Sequence, residues 1–263
     1  KCVPATKVLL SLALDKKGVP VGAEAVGKHG TPKCEYHLKL VRCDERENSH
    51  IGGCYVGAHP SIGENVAANL LQSGALAGQL GDVISFQREV PGVAGTDMRA
   101  DFLCEHTDGS RTVVEVKTVV DSDYDPATTA SRPGVFLGST PYRRAAIFPW
   151  GNSKQKGPDG ERVVSARAIK HVRELTAIAA GERLGDDGER IKACVLFVVV
   201  RPDIESFRPN EEACPSFARY LARAQRAGVH VLARRCIWGE GDHVGECFDG
   251  GDLPVDLSLA DVV

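Results

Sequence analysis

Several signatures of common enzyme classes are missing from this 263-residue chain. Its nine cysteines include no Cys-x-x-Cys pair, so the spacing typical of a zinc site is absent. No two of its eight histidines have the helical spacing of metal ligands, and no serine stands in a Gly-x-Ser-x-Gly context. The chain also has no P-loop. Zinc enzymes, serine hydrolases and P-loop nucleotide-binding proteins therefore find no support.

Long apolar runs and a large net charge are missing as well. The longest apolar run, residues 193–200, has the length of a strand, whereas a membrane-spanning helix needs about 20 such residues. We therefore expect no membrane partner. The net charge of −3 gives no general evidence for a nucleic-acid partner, although a basic face can exist locally. Aromatic residues make up only 6%, but 43% hydrophobic and 25% charged residues are ordinary for a globular protein.

The cysteines indicate a reducing compartment. Their number is odd, they are scattered, and Cys104 and Cys194 stand inside apolar segments that predict strands. No apolar segment followed by a small-residue cleavage site marks a signal peptide after Lys1. We expect an intracellular location, in the cytoplasm or an organellar matrix or stroma, rather than secretion. The absence of an initiator methionine is compatible with a processed or partial product.

Hydrophobic periodicity and end signals predict a mixed α/β fold. Residues 1–58 have the pattern of short β-strands separated by a glycine-rich loop. Beyond them the predicted helices cover 61–73, 164–180 and 214–227, and the predicted strands include 83–90, 193–200 and 229–237. Two more strands flank an Asp-Gly turn at 108–109. Residues 121–163 are rich in loop formers, and a connection of that length is usually functional or disordered.

The two strands around the Asp-Gly turn carry an acid–acid–lysine pattern. Asp101 stands in the first strand, and Glu115 and Lys117 stand in the second among valines and threonines. Residues at i and i+2 point to the same face of a strand, and an unpaired buried charge costs several kcal/mol, as an order of magnitude. A loop centred on Asp108 places Asp101 directly opposite Glu115.

Two carboxylates at that separation repel each other unless a cation or a proton lies between them. Oxygen ligands of this kind suit a hard divalent ion such as Mg2+ or Mn2+. The pattern therefore favours a metal site at Asp101 and Glu115, with Lys117 beside the attacking water or the scissile phosphate. A cross-strand salt bridge of Glu115 or Asp101 with Lys117 or Arg99 is the structural alternative.

Several motifs in a fixed order resemble the sugar fermentation stimulation protein family (SfsA), within the PD-(D/E)XK nuclease superfamily. The resemblance covers about residues 36–257. Its matching stretches are QREV at 87–90, MRADFLCE at 98–105, VEVKTV at 114–119, Phe-Pro at 148–149, SARAIKHVREL at 165–175, VLFVVVRPDIESFRP at 195–209, GVHVLARRC at 228–236 and DLPVDL at 252–257.

The resemblance implies a partial OB-like β domain over 1–58 and a PD-(D/E)XK nuclease-like domain over 59–263, with insertions at about 121–163. It also implies DNA binding and a metal-dependent phosphodiesterase or endonuclease. Its site residues correspond to Asp101 and Glu115 as metal ligands, to Lys117 as the catalytic lysine, and to Arg167, Lys170 and His171 as helix residues that face the site and contact phosphate, Lys170 among the catalytic set.

Departures from the family pattern keep other functions open. Trp150 follows Phe-Pro where relatives usually have an aspartate, and both 121–145 and 151–163 are unusual insertions. A catalytically retired nuclease fold that serves as a structural subunit, with protein partners at 121–163, is the main alternative. A regulator that binds duplex DNA without cutting it is a weaker one.

Overall fold

The computed structural model describes residues 5–43, 53–129, 138, 141–151 and 155–258. The strands are β1 (Val8–Leu12), β2 (Tyr36–Cys43), β3 (Cys54–Gly57), β4 (Val83–Pro91), β5 (Arg99–His106), β6 (Arg111–Val119), β7 (Ala145–Phe148), β8 (Gln155–Lys156), β9 (Arg162–Val163), β10 (Ile191–Val199), β11 (Ser206–Pro209), β12 (His230–Trp238) and β13 (Cys247–Asp252). The helices are α1 (Ile62–Gln72), α2 (Ala77–Leu80), α3 (Pro126–Thr129), α4 (Ala166–Ala179) and α5 (Pro215–Arg226).

A six-stranded mixed sheet forms the centre of the molecule, in the order β13-β12-β10-β6-β5-β4. The strands β6, β10 and β12 run parallel, whereas β4, β5 and β6 form an antiparallel meander and β13 pairs antiparallel with β12. β10 is apolar on both faces and lies in the middle, as expected for a strand covered on both sides. The predicted mixed α/β fold is confirmed.

Helices cover both faces of this sheet. On one face α4 packs against β10 and α5, and buries Ile169, Val172 and Leu175 in the larger apolar core. On the other face α1 packs against β6 and β10, and buries Leu70 and Leu71 in a second core. Glu115 and Lys117 share the face of β6 that carries Val113 and Val119, so they lie on the side that α4 covers rather than on an open face. Among the described residues, no helix combines the length and the apolar character needed to cross a membrane.

A separate three-stranded antiparallel sheet, β1-β2-β3, precedes α1. It joins the central sheet where the Gly57 amide donates to the Val200 carbonyl at 2.8 Å, and Leu40 is buried in the second core. Its outer face is apolar and open, with Leu10, Leu12 and Tyr36 about half exposed. The strands predicted within 1–58 are therefore present, whereas the OB-like character of this sheet and the boundary at residue 58 stay predictions.

Some elements lie where the sequence indicated loops. The stretch 121–163 contains β7, which pairs in parallel with β11, as well as short elements at α3, β8 and β9. Ala145, Ala146 and Ile147 of β7 are buried, and Ala146 belongs to the larger apolar core. Residues 130–137, 139, 140 and 152–154 of the predicted insertions lie outside the described residues.

Candidate metal and catalytic site

Three carboxylates occupy neighbouring positions in a row across β4, β5 and β6. The register pairs Arg88 with Phe102 and Val90 with Ala100, so Glu89 and Asp101 stand between these pairs on adjacent strands. The last pair of the β5–β6 ladder is Phe102 with Val114, so Asp101 and Glu115 are the next residues on the two strands. The hairpin register is thus symmetrical about Asp108, in agreement with the placement that the turn predicts.

Asp101 is a partly buried carboxylate with no hydrogen-bonded cation among the described residues. Its Oδ2 accepts a hydrogen bond from the Val116 amide at 2.6 Å. Burial and, next, the negative charge of Glu115 raise the pKa of Asp101 to about 6, against the opposing effects of the amide and Lys117. Burial makes the charged form of Asp101 unfavourable. A divalent cation beside the carboxylate would offset this cost and favour the charged form.

Glu115 is buried and ionised, with one oxygen engaged and one oxygen free. Only 2% of the residue is exposed. Burial opposes ionisation, but contacts with His171 and Lys117 prevail and hold the Glu115 pKa below its usual value. Its Oε1 lies 2.5 Å from His171 Nδ1 and accepts from the Lys117 ammonium. Its Oε2 is buried without a hydrogen-bond partner among the described residues, so its lone pairs remain for another contact.

Two further glutamates reach Asp101 from other elements, in a group that does not include Glu115. Ligand oxygens of Glu64, Glu89 and Asp101 lie within 4.8 Å of one another, a separation at which three carboxylates can hold one ion. Glu64 comes from the first turn of α1, and Glu89 from β4, where its φ is +56°. Gly63 allows this approach, since a Cβ there would lie 2.0 Å from Thr118 Oγ1. The donor set is all oxygen and suits a hard divalent cation.

Comparison with known proteins places the chain in a family. A relative in Pyrobaculum arsenaticum, a sugar fermentation stimulation protein homolog, is 31% identical over 229 residues, which cover 86% of this chain and 73% of the relative. The chain belongs to the sugar fermentation stimulation protein family. A homolog in Maricaulis maris is 31% identical over 205 residues, which cover 78% of this chain and 66% of that protein. The chain thus spans about two thirds of the Maricaulis protein's length.

Two further comparisons agree with this membership. The sequence profile described as "Sugar fermentation stimulation protein RE domain" matches residues 158–242, which contain α4, β10, β11, α5 and β12. A solved structure of Pyrococcus furiosus SfsA in complex with Ca2+ has a TM-score of 0.54 to this chain at 19% sequence identity. The structural match covers 82% of this chain and 77% of the P. furiosus chain, and it supports the fold described above.

In this SfsA-family chain, the α4 residues divide between the interior and the surface. The sequence pattern placed Arg167, Lys170 and His171 on one polar stripe, but the His171 side chain is only 6% exposed and contacts Glu115. The Lys170 ammonium is half exposed and lies 2.5 Å from Asp97 Oδ2, and Arg167 is exposed in the first turn. His171 therefore has little surface left for a phosphate, and its visible role is to hold Glu115.

The salt-bridge alternative describes part of this geometry. Lys117 does pair with Glu115, and Arg99 pairs with Glu89 rather than with Asp101. These pairs leave Glu115 Oε2 without a partner among the described residues and Asp101 with a raised pKa. A purely structural ion pair accounts for neither feature, because both are unfavourable for folding.

Proposed function

We propose that this protein is a metal-dependent phosphodiesterase that acts on nucleic acid, DNA in the first place. The observation that carries this proposal is the convergence of Glu64, Glu89 and Asp101 beside the buried Glu115–Lys117 pair. Carboxylates around a hard cation, with a lysine within reach, are the parts that metal-assisted phosphodiester hydrolysis requires. Nuclease-type chemistry uses both the carboxylates and the lysine, whereas a purely structural role requires neither.

Mg2+ or Mn2+ is the proposed working ion. All candidate ligands are carboxylate oxygens, which these ions prefer, and the P. furiosus relative was solved in complex with Ca2+, an ion of the same oxygen-seeking class. Glu64, Glu89 and Asp101 would hold the ion, whereas Glu115 is not part of this three-residue group and acts on Asp101 through its charge. When bound, such an ion polarises the phosphodiester and lowers the pKa of a coordinated water.

The other side chains act on charge and orientation. The Lys117 side chain shares a face of β6 with Glu115 and is 15% exposed, so its ammonium can offset negative charge that develops on a phosphate. His171 fixes the rotamer of Glu115 through Oε1 and leaves Oε2 to the site. Arg167 and Lys170 lie outside this buried set and are available to contact a phosphate backbone at the surface.

The small sheet, β1-β2-β3, favours a nucleic-acid partner. Residues 5–43 contain seven Lys and Arg against three Asp and Glu, in a chain whose net charge is −3. A groove of about 1020 Å3 on this sheet is lined by Lys16, Lys17, Lys33, Tyr36 and His37, among others. Cations that neutralise phosphates and flat rings that stack on bases are the two components of single-strand binding. We therefore assign the single-stranded part of a substrate to this groove.

The decisive experiment is a calorimetric Mn2+ titration of the wild-type chain beside Asp101→Asn and Glu115→Gln. We expect binding to wild type and its loss in Asp101→Asn, followed by Mn2+-dependent cleavage of single- or double-stranded DNA by wild type only. Asp97→Asn is the matched control, because Asp97 is an exposed carboxylate that pairs with Lys170. Equal Mn2+ affinity of wild type and Asp101→Asn would refute the metal site.

A structural subunit is the second candidate, favoured by the surface of the insertion. Tyr124 and Trp150 are 38% and 43% exposed in the described part of 121–163, and such aromatic residues are common at protein interfaces. If wild type binds no metal, this candidate replaces the first. A partner protein should then protect residues 121–163 from proteolysis, and unchanged cleavage with and without the partner would exclude it.

A further inference from the structure

A polar groove of about 810 Å3 lies beside the helices α4 and α5, which pack against each other. Most of the side chains that line it are charged. Lys170, Arg173 and Glu174 of α4 have the spacing that places residues on one face of a helix, and so do Tyr220 and Arg223 of α5. The carboxylates of the candidate metal site do not line this groove.

Two of the cations that line the groove already have an acidic partner. Arg183 Nε lies 3.0 Å from Glu174 Oε2, in an ion pair without hydrogen-bond geometry. The Lys170 ammonium pairs with Asp97. These contacts offset the positive charge of both side chains, so they leave little charge for a ligand.

Arg173 and Arg223 are the other two cations, and both stack on one aromatic ring. Their guanidinium carbons lie 5.6 and 5.9 Å from the centre of the Tyr220 ring. Neither guanidinium group has a hydrogen bond or an ion pair with a described residue. A guanidinium carries five N–H donors in its plane, and stacking on a ring uses none of them. The donors of both groups therefore remain for an anion.

The ring between the two arginines is itself held in place. The Tyr220 hydroxyl donates a hydrogen bond to Asp159 Oδ2 at 2.9 Å. Side chains that are already ordered lose less conformational freedom when they bind a ligand, which favours binding. Phosphate is the anion that matches the planar donor fork of arginine, because its oxygens accept two parallel N–H bonds.

Acidic residues of the lining limit the size of the anion. Asp159, Glu174 and Glu182 line the same groove, and an extended polyanion that passes them meets like charge. A compact anion can contact Arg173 and Arg223 beside Tyr220 without passing the carboxylates. A diphosphate is compact and offers separate phosphate oxygens to the two arginines.

We propose that this groove binds a diphosphate group, either free or at the end of a small phosphorylated molecule. Arg173 and Arg223 donate hydrogen bonds to the phosphate oxygens, and Tyr220 fixes the position of both side chains. The site does not rest on the proposed nuclease function, because none of the candidate metal ligands lines it.

The test is a calorimetric titration of the full chain with sodium pyrophosphate, in metal-free buffer so that no ion at the carboxylates can hold the pyrophosphate. We expect saturable binding to wild type, weaker binding of orthophosphate, and an affinity reduced about 10-fold or more in each of Arg173→Ala and Arg223→Ala. The double variant Arg219→Ala/Arg226→Ala is the control for Arg173→Ala/Arg223→Ala. It also removes two positive charges, but its residues on α5 do not line the groove, so it should keep the wild-type affinity.

Absence of pyrophosphate binding to wild type would overturn the proposal, and this result does not depend on the folding of any variant. Equal pyrophosphate affinity of wild type and Arg173→Ala/Arg223→Ala would overturn it as well. Fluorescence anisotropy of a labelled oligonucleotide separates a diphosphate site from a path for a nucleic-acid strand. Arg173→Ala/Arg223→Ala should lower the oligonucleotide affinity no more than the control does, and a larger loss without pyrophosphate binding would exclude the diphosphate site. None of these outcomes depends on metal binding or cleavage.

Discussion

Asp101 is a carboxylate whose surroundings oppose its charge, and this has a cost for the fold. Its pKa is 3.8 as an unperturbed group and about 6 in the folded protein, so the folded state binds the proton more tightly. Stability therefore falls as the pH rises between these two values and stays reduced above them. We predict that Asp101→Asn raises the free energy of unfolding of the metal-free protein at about pH 8 by on the order of 2–3 kcal/mol.

Urea unfolding in the presence of a chelator measures this gain. The gain in the free energy of unfolding should shrink towards zero at about pH 4, where wild-type Asp101 is protonated in the folded protein. Asp97→Asn is the control, since Asp97 is exposed and its pKa is lowered by Lys170, so its removal should give no gain at either pH. A destabilised Asp101→Asn at pH 8 would contradict the assignment of Asp101 as a strained functional group.

His171 is expected to act on the site through Glu115. Removal of a residue that orients a ligand typically lowers metal affinity about 10- to 100-fold, and we predict an effect in this range on Mn2+ binding for His171→Ala. Calorimetry measures the affinity, with chelator-treated unfolding curves to show that the variant is folded. Arg167→Ala, on the exposed side of the same helix, should leave the Mn2+ affinity unchanged. Equal losses in both variants would remove the positioning role.

Some of the site residues could be predicted from the sequence and others could not, for a physical reason. Asp101, Glu115 and Lys117 could be predicted because charged side chains stand out in apolar strands. Glu64 looked like an ordinary acidic residue at a helix start, and Glu89 lies on a strand where charge is unremarkable. Only tertiary packing brings these two glutamates to Asp101, so no local sequence pattern predicts them as site residues.

At the scale of elements, the seating of α1 on β6 decides where Glu64 lies. A Cβ on Gly63 would lie 2.0 Å from Thr118 Oγ1, 3.0 Å from Thr118 Cβ and 3.3 Å from its Cα. We predict that Gly63→Ala lifts the start of α1, lowers the free energy of unfolding by about 1–3 kcal/mol, and weakens Mn2+ binding because Glu64 moves away from Asp101. Urea unfolding and calorimetry measure the two effects.

Two variants separate this steric effect from the general consequences of a glycine substitution. A Cβ on Gly78 in α2 would meet nothing within 4 Å, so Gly78→Ala should leave Mn2+ affinity unchanged. Thr118→Ala removes the closest atom and should restore part of the loss in the double variant. Unaltered stability and affinity of Gly63→Ala would show that α1 adjusts freely and that its seat does not position Glu64.

Elements with long periodic patterns could be predicted, and short ones could not. The helices α1, α4 and α5 and the strands β4, β10 and β12 lie within about two residues of their predicted bounds, a usual uncertainty for element ends. β7 and β11 have four residues each and are stabilised by pairing with each other over a long sequence separation. β13 contains Gly250 and Gly251, which oppose a strand assignment from local preference.

At the scale of the whole molecule, charge is divided between two regions. The small sheet region carries a basic surplus, whereas the candidate metal site gathers carboxylates from α1, β4, β5 and β6. The basic region would attract a polyanion, and the carboxylates would bind the metal ion, so the two properties lie in different regions. Substitutions in one region should therefore leave the property of the other region intact, since they lie in different parts of the fold with no shared partners.

We predict that the double variant Lys16→Glu/Lys33→Glu binds single-stranded DNA more weakly while it retains wild-type Mn2+ affinity. Each lost phosphate contact should reduce the slope of log affinity against log salt by about 0.7. Fluorescence anisotropy of a labelled oligonucleotide at several salt concentrations, with a chelator to prevent cleavage, measures this slope. Asp101→Asn should show the opposite behaviour, with DNA binding retained and Mn2+ binding lost.

Lys156→Glu is the matched control, because Lys156 is exposed on β8 and does not line the groove of the small sheet. The substitution makes, at a different place, half the change of net charge that the double variant makes. If binding depends on net charge alone, Lys156→Glu should weaken it in proportion to the number of charges reversed. If the groove holds the strand, Lys156→Glu should have a small effect, because the Debye length at physiological salt is only about 8 Å and distant exposed charges are screened.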